Sequence, residues 1–273
     1  MKIHGPIKPR ERWLTRALCR RYAAVVFSTL AVPALADGST SNRTICWAFG
    51  CLVKGESEIL GAWVLPESPA TMAEVFGDLH NRGVEFVRCG VGPLDGAEAE
   101  FLATFKMAAM YPSIEQPLAA LLDRVRPFHR PAIVMHLRAM AGDLPDGRAT
   151  VAMLRFSSED LRQKYPGMLE QWGEAVSGFH ALLSLPEPYR HLVRSVDRTA
   201  IGMQERLRKA VLHHGPFEDA AQAFDFVVDW LVRADLRHMQ QAEVQELARL
   251  AQVSKSGRIA PVSGGAAGAP ALV

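Results

Sequence analysis

Hydrophobic positions change period part-way along the chain. Between Tyr22 and Tyr111, short apolar runs are separated by turn residues; from Ser113 onward, apolar residues recur at helical spacing. The run 24–32 predicts a strand that ends at Pro33. Runs 45–53 and 58–65 are rich in β-formers and flank the turn Lys54-Gly55-Glu56-Ser57, which predicts a hairpin. A polar loop, 37–44, joins the first strand to it. Ser68 is a good N-cap and Pro69 a good first helical residue. Met72, Val75, Phe76 and Leu79 then share one face of a helix that stops at Asn81-Arg82-Gly83, where glycine can turn left-handed. A strand over 84–91, a break at Gly92-Pro93, a helix over 97–105 and a short strand over 107–111 follow. This order predicts an α/β fold with a mixed sheet.

The remainder reads as helix. Ser113 and Gln116 form a capping-box pair ahead of Leu118-Ala119-Ala120-Leu121-Leu122. Leu169, Trp172, Val176, Phe179 and Leu183 make one helical stripe, and Phe217, Ala221, Phe224, Val228 and Leu231 another. Stripes of this kind are core far more often than cofactor sites. Residues 254–273 are rich in Gly, Ala, Pro and Ser, without an acid, and predict a disordered tail.

Composition narrows the class. A chain of 273 residues with 49% hydrophobic and 22% charged residues can bury its own core, which excludes a disordered chain or a rod. The net charge of +2 excludes a histone-like polycation. Charge is uneven, however. Residues 1–21 hold seven basic side chains against Glu11 and predict an exposed basic arm with one amphipathic turn at Trp13. Cys19, Cys46, Cys51 and Cys89 form no CxxC pair, so a zinc knuckle is not indicated and a reducing cytoplasm fits them. No apolar run is long enough for a membrane helix. The stretch from Arg20 to Asp37, basic then apolar then Ala34-Leu35-Ala36, fits either a secretory signal or a buried strand. The odd cysteine count left by cleavage tilts the choice towards the strand.

Candidate chemistry is sparse. His213-His214 sits before Gly215-Pro216 at a predicted helix end, where imidazolium meets free carbonyls; the spacing supplies no further metal ligand. No phosphate-cradling glycine loop and no Gly-x-Ser-x-Gly elbow occurs. Arg206, Arg208 and Lys209, beside Glu205, form the strongest local basic cluster, either a solvated face with intrahelical pairs or a phosphate-contacting one.

A string of short motifs carries more. Trp13-x-x-Arg16-x-Leu18, then Tyr22, then Glu58-Ile59-Leu60-Gly61-Ala62-Trp63, then Asn81-Arg82-Gly83-Val84 occur in order. Lys164-Tyr165-Pro166, Trp172, Phe179, Pro186-Glu187-x-x-Arg190, Arg206-Leu207-Arg208-Lys209 and Gly215-Pro216-Phe217 follow. From Trp13 to Trp230 the pattern resembles the bacterial mutator-type transposases, an Asp-Asp-Glu family of DNA transposases. The resemblance implies a ribonuclease-H-like core over 22–112, a helical insertion over 113–196 and C-terminal helices over 197–253 that complete the core. It makes residues 22–32 the first strand and disfavours the secretory signal.

The same resemblance implies a damaged site. The family's first acid falls on Ser28, its second on Gly92, and its glutamate on Gly202, or on Ile201 with a one-residue gap placed later. Its C-x-x-H pair falls on Ser113 and Gln116. The family would use magnesium, which wants several converging carboxylates; with those ligands replaced, no cofactor is expected. Asp95 and Glu205 stand three positions from the matched sites and would compensate only in a shifted register. The chain begins at the catalytic lead-in, without the family's N-terminal DNA-recognition region. The expectation is therefore a cytoplasmic, transposase-like protein without strand cleavage, touching DNA weakly and without sequence preference through Arg206, Arg208 and Lys209, and pairing with a second copy. The alternatives are a non-catalytic DNA-binding or subunit-pairing protein on the same fold, and a secreted protein.

Overall fold

A computed structural model of the chain describes residues 9–36, 39–66, 72–92, 96–106, 108–140 and 158–256. Its centre is a five-stranded mixed sheet in the order β3-β2-β1-β4-β5. β1 (Arg21–Ala36), β2 (Ser39–Leu52) and β3 (Ser57–Val64) form an antiparallel meander. α2 (Ala73–Asn81) leads to β4 (Phe86–Val91), which pairs parallel to β1 from Arg21↔Phe86 to Val26↔Val91. α3 (Ala97–Thr104) crosses over to β5 (Ala109–Tyr111), parallel to β4. The α/β class and the predicted strands therefore hold. The predicted N-cap at Ser68-Pro69 lies outside the described residues.

Two strands are longer than the apolar pattern suggests. β1 continues through Pro33 to Ala36, and part of the predicted polar loop is strand, because Ser39–Thr44 pair with Ala31–Ala36. Pro33 is tolerated because its carbonyl points away from β2, accepting the Phe217 N–H at 3.0 Å. Its missing N–H lies on that same side and costs β2 no ladder bond. The segment that mimics a secretory signal is thus the central strand of the sheet, with Ala24, Val25, Val26 and Phe27 buried between β2 and β4. No helix among the described residues is long and apolar enough to cross a membrane.

Alternation along β1 sorts its side chains onto two faces, as a period of two requires. Val25 and Phe27 pack with Val75, Phe76 and Leu79 of α2 and Phe101 and Phe105 near α3, where Phe27, Phe76 and Phe101 meet edge to face. Ala24, Val26 and Leu30 face the other way, into the larger core under the C-terminal helices. Those are α4 (Glu115–Asp123), α5 (Arg130–Met140), α6 (Ser158–Lys164), α7 (Met168–Ser177), α8 (His180–Leu183), α9 (Glu187–His214) and α10 (Ala220–Ser256). Ser28 belongs to this second face by phase.

α9 is the long element that closes the second face. Val193, Val196, Ala200, Met203, Leu207 and Val211 are its buried stripe, and it runs unbroken across the 196/197 boundary. It stops at Gly215, whose φ of 85° suits glycine. The chain then returns to the sheet, where Leu35 N–H donates to the Phe217 carbonyl at 2.9 Å. The second predicted stripe holds in part. Val228 and Leu231 are buried on α10 and Phe224 packs against the core. Ala221, however, is exposed, and Phe217 is buried ahead of the helix as a β-bridge partner of Ala34; α10 also buries Ala223, Val227 and Ala234. The first stripe is split by the turn at Gly178 into α7 and α8, although Leu169, Trp172 and Phe179 remain buried. Of the predicted tail, 254–256 end α10 and 257–273 lie outside the described residues.

The described part of the basic segment packs rather than projects. Arg10 of α1 (Pro9–Thr15) pairs with Asp225 and Asp229 on α10. Arg16 reaches Glu58 at 2.9 Å, the Ile59 carbonyl at 2.7 Å and Asp235 at 3.3 Å. Trp13 donates to Asp235, and Tyr22 to Glu58. Arg82 joins this cluster by donating to the Arg16 carbonyl and to Asp78, which also accepts from Trp63. Gly61 has no room for a side chain, because a Cβ there would lie 2.9 Å from both Arg82 and Trp63. Motif residues Trp13, Arg16, Tyr22, Glu58, Gly61, Trp63 and Arg82 therefore form one structural joint.

Candidate functional site

A cavity of about 290 Å³ opens between β1, α4 and α9. Ser28 forms its floor, just past the point where β4 stops pairing with β1. Ser113, Gln116, Ala119, Ala120 and Asp123 line one wall, and Asp197, Ile201, Gln204, Glu205 and Arg208 the other. Residues far apart in sequence meet here because α4 starts directly after β5, while α9 crosses β1 on the same face.

Asp197 binds the two walls together. Ser113 Oγ lies 2.8 and 3.0 Å from its two carboxylate oxygens, and the N–H groups of Ile114 and Glu115 donate to Oδ2 at 3.0 and 3.1 Å. Ser113 Oγ in turn accepts the Gln116 N–H at 3.0 Å, as the capping-box spacing predicts. Asp197 thus serves as a cap for α4 supplied from another helix. Burial pushes its pKa up to about 6, against the opposing pull of these hydrogen bonds. Its neighbour Glu115 is also buried and holds Arg138 through both oxygens at 2.7 Å, with Arg198 at 3.4 Å. Arg194, half-buried and facing Arg138 and Arg198, has its pKa lowered to about 10, chiefly by burial.

The other carboxylates at the cavity are also engaged. Arg208 Nη2 lies 2.8 Å from Glu205 and 3.8 Å from Asp123, and the Glu205 bond raises the arginine pKa. Gln204 is spent on structure: its amide donates to the Thr29 carbonyl at 2.7 Å and accepts from Trp47 Nε1 at 2.5 Å. Among the described residues, no three His, Cys, Asp or Glu side chains converge to hold a metal.

The predicted site residues separate cleanly. Ser28, Ser113, Gln116 and Ile201 line one cavity. Of the two alternatives on α9, Ile201 faces it, whereas Gly202 is exposed on the outer side. Gly92 sits beside Phe27, one residue from Ser28, but its surroundings leave little room. Its φ is 159°, and a Cβ would come 2.9 Å from the Phe27 carbonyl oxygen and 3.1 Å from Phe27 Cβ. Asp95 lies outside the described residues. The basic cluster divides too: Arg206 and Lys209 are exposed on the outer face of α9, while Arg208 turns to the cavity. His213 and His214 end α9 as expected, with His214 stacked on Phe217 at 4.2 Å.

Asp197 and Asp123 are cavity carboxylates that sequence reasoning did not name, and Arg208, read there as a phosphate contact, turns to the cavity. A signal for Asp197 existed: an acid at that position interrupts the apolar stripe of Val193, Val196 and Ala200.

A magnesium pair does not fit this donor set. Asp197 already accepts from Ser113, Ile114 and Glu115, a guanidinium occupies the space between Glu205 and Asp123, and Ser28 and Ile201 add no charge. Two divalent ions there would meet a cation without the carboxylates needed to offset them.

A mixed sheet whose central strands end at a polar cavity closed by a long helix defines an α/β protein built around a strand-end site. Comparison with known proteins makes the class specific. The chain matches the family described as "Transposase, Mutator family" over residues 8–241 and belongs to that family. It is 25% identical over 242 residues to a "Probable transposase for insertion sequence element" of Corynebacterium diphtheriae, an alignment covering 88% of this chain and 69% of that one.

Proposed function

We propose that this protein is a mutator-family transposase derivative that no longer cleaves or joins DNA strands but still holds DNA by charge. The observation that carries the reading is the content of the cavity. Ser28, Gly92 and Gly202 or Ile201 stand where the family resemblance expects carboxylates; Ser28 and Ile201 line the cavity, and Arg208 lies between Glu205 and Asp123. The reading takes the core as ribonuclease-H-like, supported by the strand order and by β1, β4 and β5 running parallel beside an antiparallel meander. On this reading residues 113–196 are the insertion, ending within α9, and the rest of α9 with α10 completes the core over 197–253. Four thiols free of disulfides suit a reducing cytoplasm.

DNA contact follows from family membership and from the exposed Arg206 and Lys209 on α9. Such contacts neutralise phosphates and carry no base readout, so binding is weak, salt-sensitive and indifferent to sequence. Titration calorimetry with manganese tests the metal part. The expected result is no saturable heat for the native chain. Saturable binding by two ions per chain, abolished by Glu205→Gln or Asp123→Asn, would show a working metal site and sink the proposal.

A further inference from the structure

The loop that leaves the rim of the cavity carries a feature the cavity does not explain. α4 ends at Asp123, and residues 124–129 lead to Arg130 at the start of α5. Phe128 is 91% exposed, the highest value of any large apolar side chain among the described residues. Its loop is braced. Val125 is buried, its N–H donates to the Leu122 carbonyl at 3.0 Å, and its own carbonyl accepts from Arg130 Nε at 3.0 Å. His129 N–H donates to the Arg126 carbonyl at 2.9 Å, and the His129 ring is hydrogen-bonded to the Tyr165 hydroxyl at 2.7 Å. A held loop with a bare aromatic ring is a presented surface, because water gains nothing from facing it.

The flanking charge identifies what the ring is presented to. Arg124 and Arg126 are exposed, and neither side chain has an ion-pair partner among the described residues. The neighbouring acid, Asp123, is directed towards Arg208. Two free guanidinium groups beside one free aromatic face complement a polyanion that also offers flat aromatic faces. A single strand of nucleic acid has both, whereas bases in a duplex are already stacked on each other.

We propose that the 124–130 loop is a binding site for single-stranded DNA, in which one unpaired base stacks on Phe128 and Arg124 and Arg126 take the adjoining phosphates. This deepens the DNA-holding reading above and rests on it. The test is fluorescence anisotropy of the full chain with a labelled single-stranded oligonucleotide and with the same sequence as duplex. Phe128→Ala should weaken single-strand binding about 5- to 150-fold, the range of losing one base–aromatic stack, and leave duplex binding within about twofold. Phe128→Trp should restore it, with indole fluorescence quenched on binding. Arg124→Ala with Arg126→Ala should weaken it and flatten its salt dependence. Phe128 is too exposed for its truncation to disturb folding. Duplex binding by the native chain with single-strand affinity unchanged in Phe128→Ala would overturn this site alone. Failure of the native chain to bind either DNA would overturn the DNA-holding reading as well.

Discussion

Asp197→Asn should stabilise the protein near neutral pH and remove a specific part of its pH dependence. The buried carboxyl has a pKa of about 6 in place of its ordinary 3.8. Folding therefore favours the protonated acid, and the folded state binds the extra proton between those values. Its contribution to stability is fully present below about pH 3.8 and is lost as pH rises through about 6. The shift corresponds to ~3 kcal/mol of penalty at about pH 7. Asparagine removes the charge and keeps the shape. A carbonyl oxygen in place of Oδ2 still accepts from the Ile114 and Glu115 N–H groups, and the amide can donate to Ser113 Oγ. The hydroxyl then turns from donor to acceptor without leaving a backbone group of α4 bare. Urea unfolding of native and variant chains across this pH range measures the difference directly. The expected gain is ~1–3 kcal/mol at about pH 7, shrinking towards zero at about pH 3.5. A variant less stable than native at neutral pH, or a difference that does not move with pH, would refute the assignment of a costly ionised carboxylate at this position.

Three further outcomes follow from named contacts. Gly92→Ala should lower stability by ~1–3 kcal/mol in thermal unfolding, because the added Cβ meets the Phe27 carbonyl oxygen at 2.9 Å in a conformation L residues rarely adopt. Trp47→Phe should cost ~1–3 kcal/mol in the same assay, since it leaves the Gln204 carbonyl oxygen without its donor beneath α9. Arg206→Ala with Lys209→Ala should reduce the slope of log affinity for duplex DNA against log salt by about 2, whereas Arg208→Ala, whose charge is held at the cavity, should leave it unchanged.

What could be read from the chain, and what could not, divides along physical lines. Strands β1 to β4 and helices α2 and α3 were legible because each buries an apolar pattern of its own period, as in Val75, Phe76 and Leu79. The extension of β1 past Pro33 was not, because it depends on which side of the strand the missing N–H faces, and that is decided by Phe217 far away in sequence. The polar residues of β2 at 39–44 are strand only because β1 offers them a partner. On α10, Val228 and Leu231 were legible in the helical stripe, whereas Phe217, the first member of that stripe in sequence, is buried ahead of the helix by its bridge to Ala34. At the cavity, Ser28 was legible through family resemblance alone, whereas Ser113 and Gln116 were also marked by their capping-box spacing, which the Gln116 N–H to Ser113 Oγ bond at 3.0 Å bears out. Ile201 and Gly202 are adjacent, and only the rotation of α9 against β1 tells which faces inward. The split of Arg208 from Arg206 and Lys209 has the same origin. Phe128 had no periodic signal, being a single apolar residue in a loop, and its exposure is visible only once the core has been assembled without it.

The most direct test of the central claim is nicking of supercoiled DNA with magnesium or manganese. The native chain is expected to leave the DNA intact at every metal concentration. Ser28→Asp with Ile201→Glu should leave it intact as well, because Arg208 still occupies the space between Glu205 and Asp123 and Gly92 cannot accept a side chain without moving Phe27. Metal-dependent nicking by the native chain that disappears on Asp95→Ala, Asp197→Asn or Glu205→Gln would show a functioning acid cluster and contradict the account.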